Sequence, residues 1–94
     1  GLPVVVSSAL ETSLGLAAGI ALAAALPQLP YACGLNTRAL LTDDLVTDSL
    51  QAVDGAIDVR PITVDPAALE RCAASPEDTH LWRDRLDATR RDRP

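Results

Sequence analysis

Lysine is absent from this 94-residue sequence, so all eight of its cations are arginines. A Schiff base, a lysine proton shuttle and a P-loop cation are therefore excluded from this chain. Histidine is nearly as scarce. The one histidine, His80, has no neighbouring His, Cys or carboxylate at a spacing that suggests zinc. The serines sit in no G-x-S-x-G elbow, so no nucleophile triad is available, and His80 is expected to be a solvated helix residue rather than a base. The two cysteines, Cys33 and Cys72, form neither a disulfide framework nor a metal motif. They are expected to be reduced packing residues of a cytoplasmic protein. A cationic surface is lacking too. Thirteen acids against eight arginines give a formal charge of -5, which excludes a phosphate-binding face for nucleic acid. No charged n-region leads into an apolar core and cleavage site, so no signal peptide is expected. The opening Gly1, in place of Met, is what a processed, cleaved or partial chain would show.

What is present divides near Thr42. Residues 1–42 carry only Glu11 and Arg38 as charges, whereas residues 43–94 carry twelve acids and seven arginines. This asymmetry predicts a buried half followed by a half that wraps its surface. No internal repeat is evident.

"LPVVVSS" is a continuous run of β-branched residues, which predicts a strand buried on both faces of a parallel sheet. Such a strand needs neighbours on both sides. This chain supplies one further parallel candidate, around "PYAC", so the sheet is expected to be completed by segments outside these residues. A helix should begin near Thr12 or Ser13, either of which could be the N-cap, and Pro27 should stop it. From Leu14 to Leu26 it would be about 20 Å long at roughly 1.5 Å per residue, too short for a bilayer core of about 30 Å. Gly15 and Gly19, at GxxxG spacing, are read as places where helix backbone approaches a sheet closely. The helix has no polar stripe, so its far side should be covered by the charged half, by another subunit, or by both.

Further along, Gly34 permits a tight turn, and Asn36 or Thr37 could cap a short helix from Arg38 to about Leu45. Asp54-Gly55 signals a turn between short extended runs. Ile57 and Val59 alternate with Asp58 and Arg60 as on a half-buried strand, which Pro61 confines to an edge. Asp65-Pro66 and Ser75-Pro76 each open a helix. The last helix should carry Leu81, Trp82 and Leu86 on one side, with Arg83/Asp87 and Asp87/Arg91 as surface pairs at i,i+4 spacing. The tail "RRDRP" is expected to fray.

In parallel α/β folds functional groups gather where strands end and loops to helices emerge, and the start of a helix favours anions. Ser7, Ser8 and Glu11 occupy that place, and Gly34 is a second spot where backbone can approach a ligand. Two readings of the serines stand: they face a ligand, or they merely cap and turn the chain. Glu11 is likewise either a structural carboxylate bonded to nearby N–H groups or an acid facing substrate.

At "PVVVSSALETSLGLAAGIALAAALPQLPYACGL" the sequence resembles the last barrel strand, following helix and closing loop of the o-succinylbenzoate synthase family, in its actinobacterial branch. The resemblance continues through "LLTDDL", "VDGAIDVRPITVDP" and "HLWRDRL", and so covers essentially the whole chain. It implies an α/β fold: the C-terminal part of an enolase-superfamily modified TIM barrel, plus the C-terminal return to an α+β capping domain. Residues 1–48 would be the last barrel strand, helix and closing loop, and residues 49–94 the capping segment.

The implied enzyme is a Mg²⁺-dependent lyase of menaquinone biosynthesis that dehydrates a succinyl-bearing cyclohexadiene carboxylate. A barrel lysine abstracts the proton α to the carboxylate, and three acidic residues hold the metal. Those groups lie on earlier strands in the family and have no counterpart here. The resemblance therefore implies no catalytic residue and no metal ligand in this chain, which alone should be inactive. It carries over part of the substrate-tail pocket: Ser8 and Leu10 at the end of the strand, and Gly34, whose N–H helps hold the succinyl carboxylate. Glu11 matches an assisting acid of some superfamily relatives, and Ser7 adjoins the same pocket. The implied partners are a small carboxylate substrate and the N-terminal barrel and capping segments, with neither nucleic acid nor membrane; a homo-oligomer is compatible. Two alternatives remain: an N-acylamino-acid racemase or dipeptide epimerase of the same superfamily, and a small non-catalytic helical binding module.

Overall fold

A computed structural model describes residues 1–91. Three helices carry its regular structure: α1, Ser13–Ala25; α2, Pro66–Arg71; and α3, Pro76–Arg91. A single 3₁₀ turn spans Thr37–Leu40. β-structure among the described residues is confined to isolated bridges, Ser7–Gly34 parallel and Val46–Val64 and Val53–Ala56 antiparallel.

The opening valines therefore do not form the continuous strand that their composition predicts. They pair only at the end of the run, where Gly34 N–H donates to Val6 O at 3.0 Å and Ser8 N–H donates to Gly34 O at 2.9 Å. The partner and its direction are nevertheless those that "PYAC" suggests. The reason for the short pairing is visible in exposure. Val6 is buried, whereas Val4 and Val5 are about half exposed, with no second neighbour to extend the ladder.

α1 begins and ends near its sequence signals. Thr12 is the N-cap by backbone geometry but makes no side-chain cap bond. At the other end Leu26 N–H closes on Ala23 O, and Pro27 prevents another turn. Ser13, Leu16, Ile20 and Ala23 form its buried stripe at helical spacing. Leu16, Ile20 and Ala23 pack with Val6, Leu35 and Leu50, flanked by Cys33, Ile57 and Ile62. Gly19 has the close approach expected of it, since a Cβ there would lie 3.1 Å from a Leu35 methyl. Gly15 does not: the atoms nearest its missing Cβ belong to Glu11.

The far side of α1 is bare. Ala18, Ala21, Leu22, Ala24 and Ala25 are exposed, so of the two covers expected for this helix the charged half does not supply one, which leaves another subunit. The radius of gyration is 16.2 Å, against about 12 Å for a compact domain of this length. The surface area that would be buried in a self-sufficient domain remains in solvent, and Leu2, Leu10, Leu22, Leu40 and Trp82 are all more than half exposed.

The later residues follow local rules. Asp54 and Gly55 adopt φ of 50° and 80°, and Val53 and Ala56 exchange two backbone bonds across this tight turn. No edge strand follows over residues 57–60: Ile57 and Ile62 pack on the core, Val59 is exposed, and among the described residues the pairing beyond the turn is Val46–Val64. Asp65 caps α2 by accepting from Ala67 and Ala68 N–H, and Ser75 caps α3 by accepting from Asp78 N–H at 3.0 Å. α3 has no buried residue, so Leu81, Trp82 and Leu86 line no core. Its ion pairs differ from the expected ones. His80–Asp84 at 3.3 Å and Asp87–Arg90 at 3.8 Å form instead, and Arg85 lies over the Trp82 ring at 5.0 Å. Of the tail, residues 92–94 lie outside the described residues, while Arg90 and Arg91 complete α3.

Candidate functional site

The parallel bridge brings together two of the sequence-predicted residues, Ser8 and Gly34. Ser8 Oγ lies 3.1 Å from Gly34 O and 3.0 Å from Thr37 Oγ1. Thr37 Oγ1 in turn donates to Ala9 O at 2.6 Å. A hydroxyl has one proton to give, so with that proton on Ala9 O, Thr37 accepts from Ser8. The Ser8 proton is thus shared between Gly34 O and Thr37 Oγ1.

Gly34 has no room to spare. A Cβ there would stand 2.9 Å from Ser7 Oγ, so a larger residue would require the Ser7 side chain to move. Its N–H is directed at Val6 O, so the donor that the family resemblance assigns to a ligand carboxylate is engaged within the chain. Leu10 projects from the turn with 60% of its surface exposed. Glu11 is half-buried and folds back over the first turn of α1, its carboxyl carbon 3.2 Å from the Cβ position of Gly15. Ser7, Ser8, Leu10 and Glu11 thus lie on one connection, between the bridge and α1, at an open corner of the molecule. Clefts of about 350 and 340 Å³ lie elsewhere. The first is at the opposite end of the valine run, beside Gly1, Leu2 and Pro30; the second lies between α1 and the tight turn, lined by Ile20, Tyr31, Leu35 and Ile57.

Beside this corner is a cluster that the sequence did not reveal. Asp44 Oδ1 accepts from Ser13 N–H at 2.9 Å and Leu45 N–H at 2.8 Å. Its Oδ2 accepts from Ser13 Oγ at 2.5 Å, Ser49 Oγ at 2.6 Å and Arg38 Nε at 2.8 Å. Arg38 also donates to Leu41 O at 2.8 Å, and Ser13 Oγ accepts from Leu50 N–H at 2.9 Å. The Arg38 and Asp44 side chains are 10% and 6% exposed. Burial opposes ionisation of Asp44, but the Ser13 and Ser49 hydroxyls and the Ser13 and Leu45 N–H groups outweigh it. Together they hold the carboxyl well below the usual carboxylate range.

Asp44 is therefore the charge at the start of α1, where an unpaired N–H group and the helix dipole favour an anion. Neither Thr12 nor Ser13 supplies that acceptor, because it comes from 31 residues away. The same cluster explains why the helix expected over residues 38–45 is only the turn Thr37–Leu40. Arg38 and Asp44 must turn toward each other, and Asn36 is the N-cap by position but spends its side-chain oxygen on Ala52 N–H.

Among the described residues no group of three or more His, Cys, Asp or Glu could hold a metal ion. The acid nearest the corner's core, Asp44, already has both oxygens filled by N–H and O–H donors. The described residues do not fit a magnesium site. The cysteines are free, Cys33 half-buried and Cys72 exposed. No helix among the described residues is long and apolar enough to cross a membrane.

The chain matches no protein-family model. It is 56% identical over 90 residues to an o-succinylbenzoate synthase of Thermobifida fusca, a match covering 96% of this chain and 27% of that protein. Against the o-succinylbenzoate synthase of Mycobacterium tuberculosis the identity is 48% over 86 residues, 92% of this chain and 26% of that protein. The Mycobacterium ulcerans protein of the same name is 45% identical over 87 residues, 93% of this chain and 26% of its own length. Nearly all of this chain is similar to part of o-succinylbenzoate synthases. It spans about a quarter of the length of these synthases. All the candidate residues fall on the synthase-like segment, but only Ser8 and Gly34 touch each other directly through hydrogen bonds.

Proposed function

We propose that this chain is the C-terminal part of an o-succinylbenzoate synthase, a carbon–oxygen lyase that removes water from a cyclohexadiene carboxylate bearing a succinyl side chain. The observation that carries this reading is the 45–56% identity to synthases along 92–96% of the chain. The expanded, half-exposed apolar architecture supports it, because a segment of a larger enzyme leaves uncovered the surfaces its neighbours would bury.

In this reading residues 1–48 contribute the last strand, helix and closing turn of a modified TIM barrel, and residues 49–94 return to a capping domain. Ser8, Leu10 and Gly34, with Ser7 and Glu11 beside them, line the pocket for the succinyl tail. Gly34 contributes by its bare Cα, which lets the two backbones approach. Ser8 contributes a hydroxyl held against that backbone, and Leu10 an apolar surface for the methylene groups. The base that takes the α-proton comes from outside these residues, which hold no lysine. Mg²⁺, which would stabilise negative charge on the substrate carboxylate, would take its ligands there too. Alone, the chain turns nothing over, and the complete enzyme works in the cytoplasm.

The test is to assay a full-length synthase carrying this segment for aromatisation of the cyclohexadiene substrate, with α-proton exchange in N-acyl amino acids as the competing activity. Dehydration with Ser8→Ala raising KM supports the reading. Exchange without dehydration points to a racemase or epimerase and overturns it. A cooperative, monomeric melt of the isolated 94 residues would favour an independent binding module.

A further inference from the structure

We infer that Thr37 is a positioning residue for substrate binding, through the two hydrogen bonds by which it ties the Ser8–Leu10 turn to the 3₁₀ turn. This inference rests on the proposed role of Ser8 and Leu10 in holding the succinyl tail.

Three observations carry it. First, Thr37 Oγ1 reaches both Ser8 Oγ and Ala9 O, 29 and 28 residues away in sequence, at 3.0 and 2.6 Å. Second, Thr37 stands on a rigid base. Its neighbour Arg38 is buried, bonded to Asp44 Oδ2 and Leu41 O at 2.8 Å each, and Leu41 N–H closes the turn on Arg38 O. Third, the same base also holds the other end of the connection, since Asp44 accepts from the Ser13 N–H and hydroxyl. Residues 10–12 thus run between two anchors, Thr37 at Ala9 and Asp44 at Ser13. A site whose supporting groups are locked in this way presents its ligand-facing side chains in one arrangement.

The proton count sharpens the role. The proton of Ser8 is shared between Gly34 O and Thr37 Oγ1, so Ser8 greets a carboxylate only by turning that proton outward. When it does, Ser8 gives up both internal bonds. Thr37 keeps its own proton on Ala9 O in either state, and the turn stays in place while Ser8 switches partner.

The experiment uses a full-length synthase carrying this segment, with Thr37→Val and Thr37→Ser, and Ser8→Ala for comparison. Loss of a contact that positions a binding group, without touching the reacting atoms, raises KM more than it lowers kcat. Thr37→Val should raise KM by about three- to tenfold, the range commanded by one hydrogen bond of ordinary net strength. Thr37→Ser, which keeps the hydroxyl, should restore KM to within about twofold. Should the valine variant fold poorly by thermal melt, Thr37→Ala takes its place. An unchanged KM in Thr37→Val, while Ser8→Ala raises it, overturns the role of Thr37 and leaves the functional reading standing. A serine variant as impaired as valine also overturns it, because the methyl group would then matter and not the hydroxyl. A wild-type enzyme without dehydratase activity sinks the functional reading, and this inference with it.

Discussion

Residues 1–50 and residues 51–91 are held together in different ways. In the first region the hydrogen bonds of consequence join residues 26 to 37 apart: Ser8 to Gly34, Thr37 to Ala9, Asp44 to Ser13, Leu50 to Ser13. In the second the caps Asp65 and Ser75 and the turn Val53–Ala56 close within three residues, and the longer bonds, such as Thr47 N–H to Thr63 O and Asp65 N–H to Leu45 O, tie it to residues 45–47 rather than to the Ser8 corner. Local bonds form wherever the right residues are adjacent, whereas the distant ones exist only while the whole corner is assembled. A substitution in the first region should therefore disturb the candidate site. One in the second should cost stability locally and leave the site alone.

The strongest challenge to this contrast is Asp44→Ala. It strips a buried arginine of its partner and leaves the Ser13 N–H without an acceptor, for a loss of about 3–5 kcal/mol in the melt of the full-length synthase. Substrate affinity should fall with it, because Ser13 anchors one end of the site connection. If affinity stays intact in a folded Asp44→Ala protein, the corner is not one unit.

Acid should act through the same group. The folded carboxyl of Asp44 lies below its unfolded value, so its stabilisation is present above the unfolded pKa of about 4 and is lost as pH falls below it. Asp44→Asn, compared with wild type by thermal melts at descending pH, should flatten that acid limb.

Gly34→Ala comes next. The added Cβ would meet Ser7 Oγ at 2.9 Å, and that short side chain can rotate away, so stability should drop by about 1 kcal/mol. Ser7→Ala in the same chain should recover most of the loss, a coupling that a double-mutant cycle measures. Asp65→Ala, in the second region, should cost about 1 kcal/mol as an ordinary lost helix cap, with KM unchanged. Smallest of all is His80→Ala. It removes a contact to Asp84 in which both side chains are mostly exposed, 80% and 67%, and the change should stay below about 0.5 kcal/mol.

Sequence signals were reliable where one or two adjacent residues decide the outcome. Pro27 ends α1, Asp65-Pro66 and Ser75-Pro76 begin α2 and α3, and Asp54-Gly55 makes the tight turn. They were half-reliable for the valine run, whose parallel partner was legible but whose length in β-structure was not. β-branched residues favour extension, yet a ladder needs neighbours on the spot. Signals failed at Asp44, which in "LLTDDL" looks like any acid of a charged half. Nothing within several residues of it hints at a bond to the start of α1. The exposed faces of α1 and α3 teach the same lesson, since apolar composition marks a surface for burial without naming what buries it.

By itself, then, the sequence determined the limits of α1 and the starts of α2 and α3, the tight turn, the want of any lysine and the synthase-like stretch, because each is set by residue chemistry over short range. Tertiary structure alone decided which stripe of a uniformly apolar α1 faces inward and that Asp44 closes its first turn. It also decided that Thr37 reaches the Ser8 turn. Those choices depend on side chains some thirty residues apart meeting in space, and no local preference encodes such a meeting.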